Sequence, residues 1–141
     1  MQKLSCILLV DDDPTTNFLH EQLLLSLGVT DHCLVAENGE QALALLAEAD
    51  ESLIPALVLL DVHMPVMGGV EFLEAYVQPA TPPPVIVVLT TSVHPHDRSR
   101  LAELSVTNWV TKPLTREKVN SLLQQHFQRQ LPPEVLMDEE Y

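Results

Sequence analysis

The segment Ala56, Leu57, Val58, Leu59, Leu60 constrains the fold more than any other part of the chain. A continuous apolar run of strand length has no polar face to offer to water, so it belongs in a sheet covered on both sides. It stops abruptly at Asp61. Four more runs of similar length follow the same design: 6–10 ends at Asp11 and Asp12, 32–36 is a weaker copy, 85–89 ends at Thr90, and 108–111 ends at Lys112. Longer stretches with helical spacing separate them. This alternation predicts five successive strand–helix units and a parallel sheet, the α/β class.

The helices read as follows. Pro14 suits a first helical turn and Gly28 a C-terminal cap, so a helix is expected over 14–27, with Leu19, Leu23, Leu24 and Leu27 marking its buried face. Asn38 caps a second helix whose Ala42, Leu45, Leu46 and Ala49 recur at helical spacing, and 51–55 is loop. A third follows the loop through Gly69 and runs to about residue 77, and four prolines in 79–84 then enforce a stiff extended connector. A short polar helix lies within 94–105, and a last helix covers 115–130, with Thr115 and Lys118 at its start. Pro132 and Pro133 stop that helix, so 1–130 is expected to form one domain and 131–141 an acidic mobile tail, with no output domain behind it.

Composition narrows the function. With 46% hydrophobic and 19% charged residues the chain is globular, and 141 residues suit a single domain. A net charge of −13 opposes phosphate backbones and anionic lipid, so neither nucleic acid nor membrane is expected as a partner. The N-terminus lacks the apolar length of a signal peptide and no run is long enough to span a bilayer, which implies a cytoplasmic protein. Cys6 and Cys33 lie in apolar segments and read as buried, reduced thiols.

In an open parallel sheet, ligands bind beyond the carboxyl ends of the strands. That rule gathers Asp11, Asp12, Asp61, Thr90 and Lys112 on one rim. Three neighbouring carboxylates repel one another unless a cation joins them, and an all-oxygen site suits Mg²⁺, with Mn²⁺ as a substitute. A carboxylate can also attack a phosphoryl group, and the transition state then needs positive charge and donors around its equatorial oxygens, which Lys112 and Thr90 can provide.

Four pieces in order, Val10-Asp11-Asp12, Asp61-Val62-His63-Met64-Pro65-Val66-Met67-Gly68-Gly69, Leu89-Thr90 and Lys112-Pro113, resemble the response-regulator receiver domains of two-component signalling over about residues 5–130. The resemblance implies a flavodoxin-like three-layer sandwich with strand order 2-1-3-4-5. It also implies that Asp61 accepts a phosphoryl group from a sensor histidine kinase or a histidine phosphotransfer protein and later loses it by slow hydrolysis. Asp12, Asp61 and the main-chain carbonyl of His63 would hold Mg²⁺, with Asp11 bound mainly through water, and Lys112 would contact the phosphoryl oxygens. Inward movement of Thr90 and Trp109 would switch the face formed by the fourth helix, fifth strand and fifth helix, where a downstream protein docks; a dimer formed on phosphorylation is left open. In this family the Lys112–Pro113 bond is typically cis.

The chain departs from the family pattern at Gly68, where an acid or amide is common, and the Gly68-Gly69 pair is expected to loosen that loop. His63 and Ser92 occupy the positions that tune dephosphorylation. Each also has an ordinary reading, His63 as a solvated loop residue and Trp109 as core filling. His94, His96 and Asp97 form a weak metal trio, better read as a solvated helix start, and Asp13, Thr15 and Thr16 as a helix cap. Two rival functions are testable. Asp11-Asp12-Asp13-Pro14-Thr15 also fits the first motif of haloacid-dehalogenase-like phosphatases, with Asp11 as nucleophile, but that chemistry needs a further acid on a strand after Lys112. A receiver-like module that signals without phosphorylation would commonly have lost an acid or the lysine.

Overall fold

The computed structural model of the chain describes residues 2–48, 54–76, 84–91, 95–104, 106 and 108–132. Strands β1 (Ile7–Val10), β2 (Cys33–Ala36), β3 (Leu57–Leu60), β4 (Val85–Thr90) and β5 (Asn108–Thr111) alternate with helices α1 (Pro14–Ser26), α2 (Gly39–Glu48), α3 (Gly69–Ala75), α4 (Pro95–Ala102) and α5 (Arg116–Phe127). All strands pair in parallel in the order β2-β1-β3-β4-β5, the expected flavodoxin-like arrangement.

The two faces of the sheet explain why the strand runs lack polar alternation. Ile7, Leu9, Leu57, Leu59, Val87 and Leu89 point into one core with Leu24 of α1 and Val119, Leu122 and Leu123 of α5. Leu8, Val10, Val58, Leu60, Ile86 and Val88 point into the other, shared with Ala42 of α2, Phe72 of α3 and Leu101 of α4. Successive strand residues face opposite sides, so a strand covered on both must be apolar throughout.

Element ends differ from the expected ones by one to a few residues, as is usual where terminal turns fray or ladder bonds begin. Strands β1, β2 and β3 each start one residue later than read from the sequence, although Cys6 O still accepts from Ala56 N at 2.9 Å. β4 runs on through Thr90. α5 stops at Phe127 because Gln128 takes the left-handed conformation (φ 54°), and Gly28 does the same after α1 (φ 72°). The Asn38 cap is present, its Oδ1 accepting from Gln41 N at 2.8 Å.

One expectation is overturned. Leu19 does not belong to the buried face of α1: it is 58% exposed, as is Phe18. The buried stripe is Asn17, His20 and Leu24, while Leu23 and Leu27 are partly buried at its edge. Cys6 is buried and Cys33 half-buried, both unpaired, and burial pushes the Cys33 thiol up to about 12. Ala49, most of the 51–55 loop, residues 77–83 of the proline connector, Ser92, His94 and the tail beyond Pro132 lie outside the described residues.

Candidate functional site

Two acids of the site are placed by the ladder. Asp11 follows β1 and its N–H still donates to Ala36 O of β2 (3.0 Å), and Asp61 follows β3 with its N–H on Val10 O (2.9 Å). The central strands therefore hand two carboxylates to the same rim. Asp11 and Asp61 are buried and Asp12 is exposed. Asp11, Asp12 and Asp61 each offer an oxygen within 4.8 Å of the others, the grouping read from the sequence. Asp11 Oδ1 accepts from Asp13 N (3.0 Å), and Asp13 caps α1 by accepting from Thr15 N (3.0 Å) and Thr16 Oγ1 (2.9 Å). Those bonds, led by the one from Thr16, hold the Asp13 carboxyl below its ordinary range.

Lys112 reaches the same acids from β5. Its N–H extends the ladder to Thr90 O (3.0 Å), and its ammonium donates to Asp11 Oδ2 and lies 3.3 Å from Asp61 Oδ2. Burial alone pulls the ammonium down, but the Asp11 hydrogen bond and the two carboxylate charges outweigh it and hold Lys112 above its ordinary value. Asp61 lies above its own ordinary value because burial disfavours the charged form and Asp11 repels it, against the pull of Lys112. One ammonium thus leaves the cluster with surplus negative charge. Oxygen donors, crowding and incompletely balanced charge fit a small hard divalent cation.

The loop after Asp61 is packed tightly on it. Val62 N donates to Asp61 Oδ1 (2.8 Å), and Gly69 N to Val62 O (2.9 Å). A Cβ on Gly69 would stand 2.5 Å from Asp61 O, and one on Gly68 2.9 Å from Val62 O. The glycine pair expected to loosen the loop is therefore also what lets α3 start against the Asp61 backbone. Between them and Asp61, Met67 N bonds back to Pro65 O (2.8 Å) around Val66, which is 74% exposed at φ 69°, a strained setting for a β-branched residue.

Thr90 is buried at the end of β4, and Trp109 is half-buried on β5, packed against the core shared with α4. His63 is exposed on the loop. The Lys112–Pro113 bond is cis. The further acid-bearing strand that the phosphatase reading needs after Lys112 is not found among the described residues, where β5 is the last strand.

Sequence reasoning missed two residues that serve this rim, Asn17 and His20, and placed a third, Lys118, only as a helix-start residue. Asn17 Nδ2 donates to Asp11 O (2.8 Å) from inside, and buried His20 accepts at Nε2 from Leu114 N (3.3 Å). Burial pushes the His20 imidazole below its ordinary value despite the nearby Asp11 carboxylate. Lys118 Nζ donates to Thr111 O (2.7 Å), Thr111 Oγ1 (3.2 Å) and Pro113 O (3.0 Å). The polar pair Asn17 and His20 at helical spacing was the available signal, masked by the leucines between them.

Residues 7–124 match the family model described as the response regulator receiver domain. The two-component response regulator ARR22 of Arabidopsis thaliana is 29% identical over 89% of this chain and 86% of its own length. The probable chemotaxis protein CheY of Rhizobium etli is 31% identical over 86% of this chain and 91% of its own. A crystal structure of a two-component response regulator from Cytophaga hutchinsonii superposes with a TM-score of 0.76 at 25% identity, covering 91% of this chain and all of that one. No described helix is long and apolar enough to cross a membrane. By the family model and the strand order together, the chain belongs to the response-regulator receiver domains of two-component systems.

Proposed function

We propose that Asp61 is the phosphoacceptor of this receiver and that its donor is the phosphohistidine of a sensor kinase or a histidine phosphotransfer protein. The observation that carries this reading is the Asp61 carboxylate at the end of the central strand, 3.3 Å from the Lys112 ammonium and clustered with Asp11 and Asp12. A carboxylate oxygen of Asp61 attacks phosphorus as the P–N bond to the imidazole breaks, the electron pair returning to that ring. Lys112 keeps positive charge beside the transferring group and Thr90 offers a hydroxyl to one of its oxygens. Asp11, Asp12 and Asp61, with the carbonyl of His63, would hold Mg²⁺ or Mn²⁺, which when bound supplies charge neutralisation at the phosphoryl oxygens.

Phosphorylated Asp61 draws Thr90 toward it, and the space Thr90 leaves admits the Trp109 ring. This couples the pocket to the surface of α4, β5 and α5, the expected docking face for a downstream protein. Slow attack of water on the same phosphorus returns the carboxylate, at a rate tuned by His63 and Ser92. The test is intact mass after incubation with acetyl phosphate and Mg²⁺. Wild type is expected to gain the mass of one phosphoryl group, and Asp61→Asn to gain none at that position. An adduct that persists in Asp61→Asn, or none in the wild type, defeats the reading.

A further inference from the structure

Lys112 can act only where its backbone puts it, and that backbone is a turn, not a strand. The last ladder bond is Lys112 N to Thr90 O (3.0 Å), and α5 begins at Arg116 behind its Thr115 cap. Between them two side chains hold the chain. Lys118 fastens the outer side through Thr111 and Pro113, and His20 of α1 fastens the inner side through Leu114 N. His20 is 5% exposed and Leu114 6%, so this bond is shielded from water. A buried N–H without an acceptor is costly, which gives the Leu114 amide a strong preference for the position where His20 meets it.

We propose that His20 is a positioning residue for phosphoryl transfer: through the Leu114 amide it fixes the turn that aims the Lys112 ammonium at Asp61. The role rests on Asp61 being the acceptor. His20 needs no contact with the phosphoryl group to perform it. It acts from the same helix stripe from which Asn17 pins the carbonyl of Asp11, so α1 fixes both partners of the Lys112–Asp11 ion pair. The requirement is an acceptor at the reach of Nε2. A glutamine amide can extend that far; an asparagine amide stops short.

The experiment compares wild type, His20→Gln and His20→Asn in the full chain, with two readouts. One is the rate of adduct formation at Asp61 with acetyl phosphate and Mg²⁺. The other is the ¹³Cε resonance of Lys112 in lysine-labelled protein, which is tractable because the chain has three lysines. His20→Asn should slow the reaction about tenfold, since ångström-scale misplacement of a reacting group can cost on the order of 10²-fold. Its Lys112 resonance should move toward that of exposed Lys3. His20→Gln should stay near wild type in both. The role is overturned if His20→Asn and His20→Gln react at the wild-type rate, or if His20→Asn is slow while the Lys112 resonance stays in place, which would mark a general packing effect. No adduct in the wild type would instead sink the Asp61 reading, and this role with it.

Discussion

Helices α1 and α5 cover the same face of the sheet and share one core, yet they use their buried stripes differently. α5 turns Val119, Leu122 and Leu123 inward and leaves Glu117, Ser121, Gln124 and Gln125 outside, an ordinary amphipathic helix. α1 turns Asn17 and His20 inward ahead of Leu24, and exposes Phe18, Leu19 and Leu25. The difference follows from where each stripe meets the sheet. α1 starts at the rim that bears Asp11, so its first inward turns face backbone polar groups of the site and must pair with them. Leu24, one to two turns further at about 5.4 Å per turn, has reached the apolar layer. A helix that begins at the chemistry gives part of its packing surface to holding that chemistry still.

This contrast can be broken by substitution. Leu122→Ala, in the apolar stripe of α5, should cost the most stability, about 3 kcal/mol from lost burial and the cavity left behind. The adduct rate of its folded protein should nevertheless stay near wild type; urea denaturation and acetyl phosphate kinetics on the same preparation check both. Asn17→Ala should cost less, about 2 kcal/mol, but unlike Leu122→Ala it should also slow adduct formation, because the Asp11 carbonyl loses its buried donor. Equal effects on rate from the two substitutions would erase the distinction between the helices.

A smaller effect is expected from pH. The folded protein holds the His20 imidazole below its ordinary value, whereas the unfolded chain takes the proton near about 6.5. The unfolded state therefore binds more protons over the interval below that value. The contribution of His20 is full above it and drains away as pH falls. Denaturation midpoints of wild type and His20→Gln, measured from pH 7.5 downward, should converge or cross as the medium acidifies; parallel curves would show that His20 is not held neutral by the fold. The least effect should come from the outer side of α1: Phe18→Ser with Leu19→Ser should change stability by no more than about 0.5 kcal/mol, because both side chains are 58% exposed. A large loss there would mean that the outer leucine stripe packs after all.

Much of the site was legible because strand ends were legible. Asp61, Thr90 and Lys112 each follow an apolar run, and a parallel sheet puts all such ends on one rim, so their meeting needed no knowledge of side-chain contacts. The outward turn of Leu19 and the inward turn of His20 were not legible. Apolar residues at 19, 23, 24 and 27 and the mixed set at 17, 20 and 24 both fit helical spacing, and hydropathy favours the former. The rim decided for the latter, since unpaired backbone groups of Asp11 and Leu114 required buried partners.

By itself the sequence determined the class of fold, the five strands and the acids, hydroxyl and lysine at their ends, because burial on both faces forces an unbroken apolar run and a charge ends it. Tertiary structure decided which face of α1 is inside, why α3 begins on two glycines, and how the Lys112 turn is braced between His20 and Lys118. Those features depend on which backbone groups are left unpaired and which atoms come within contact distance once the sheet is assembled, and neither is encoded in the spacing of residues along a chain.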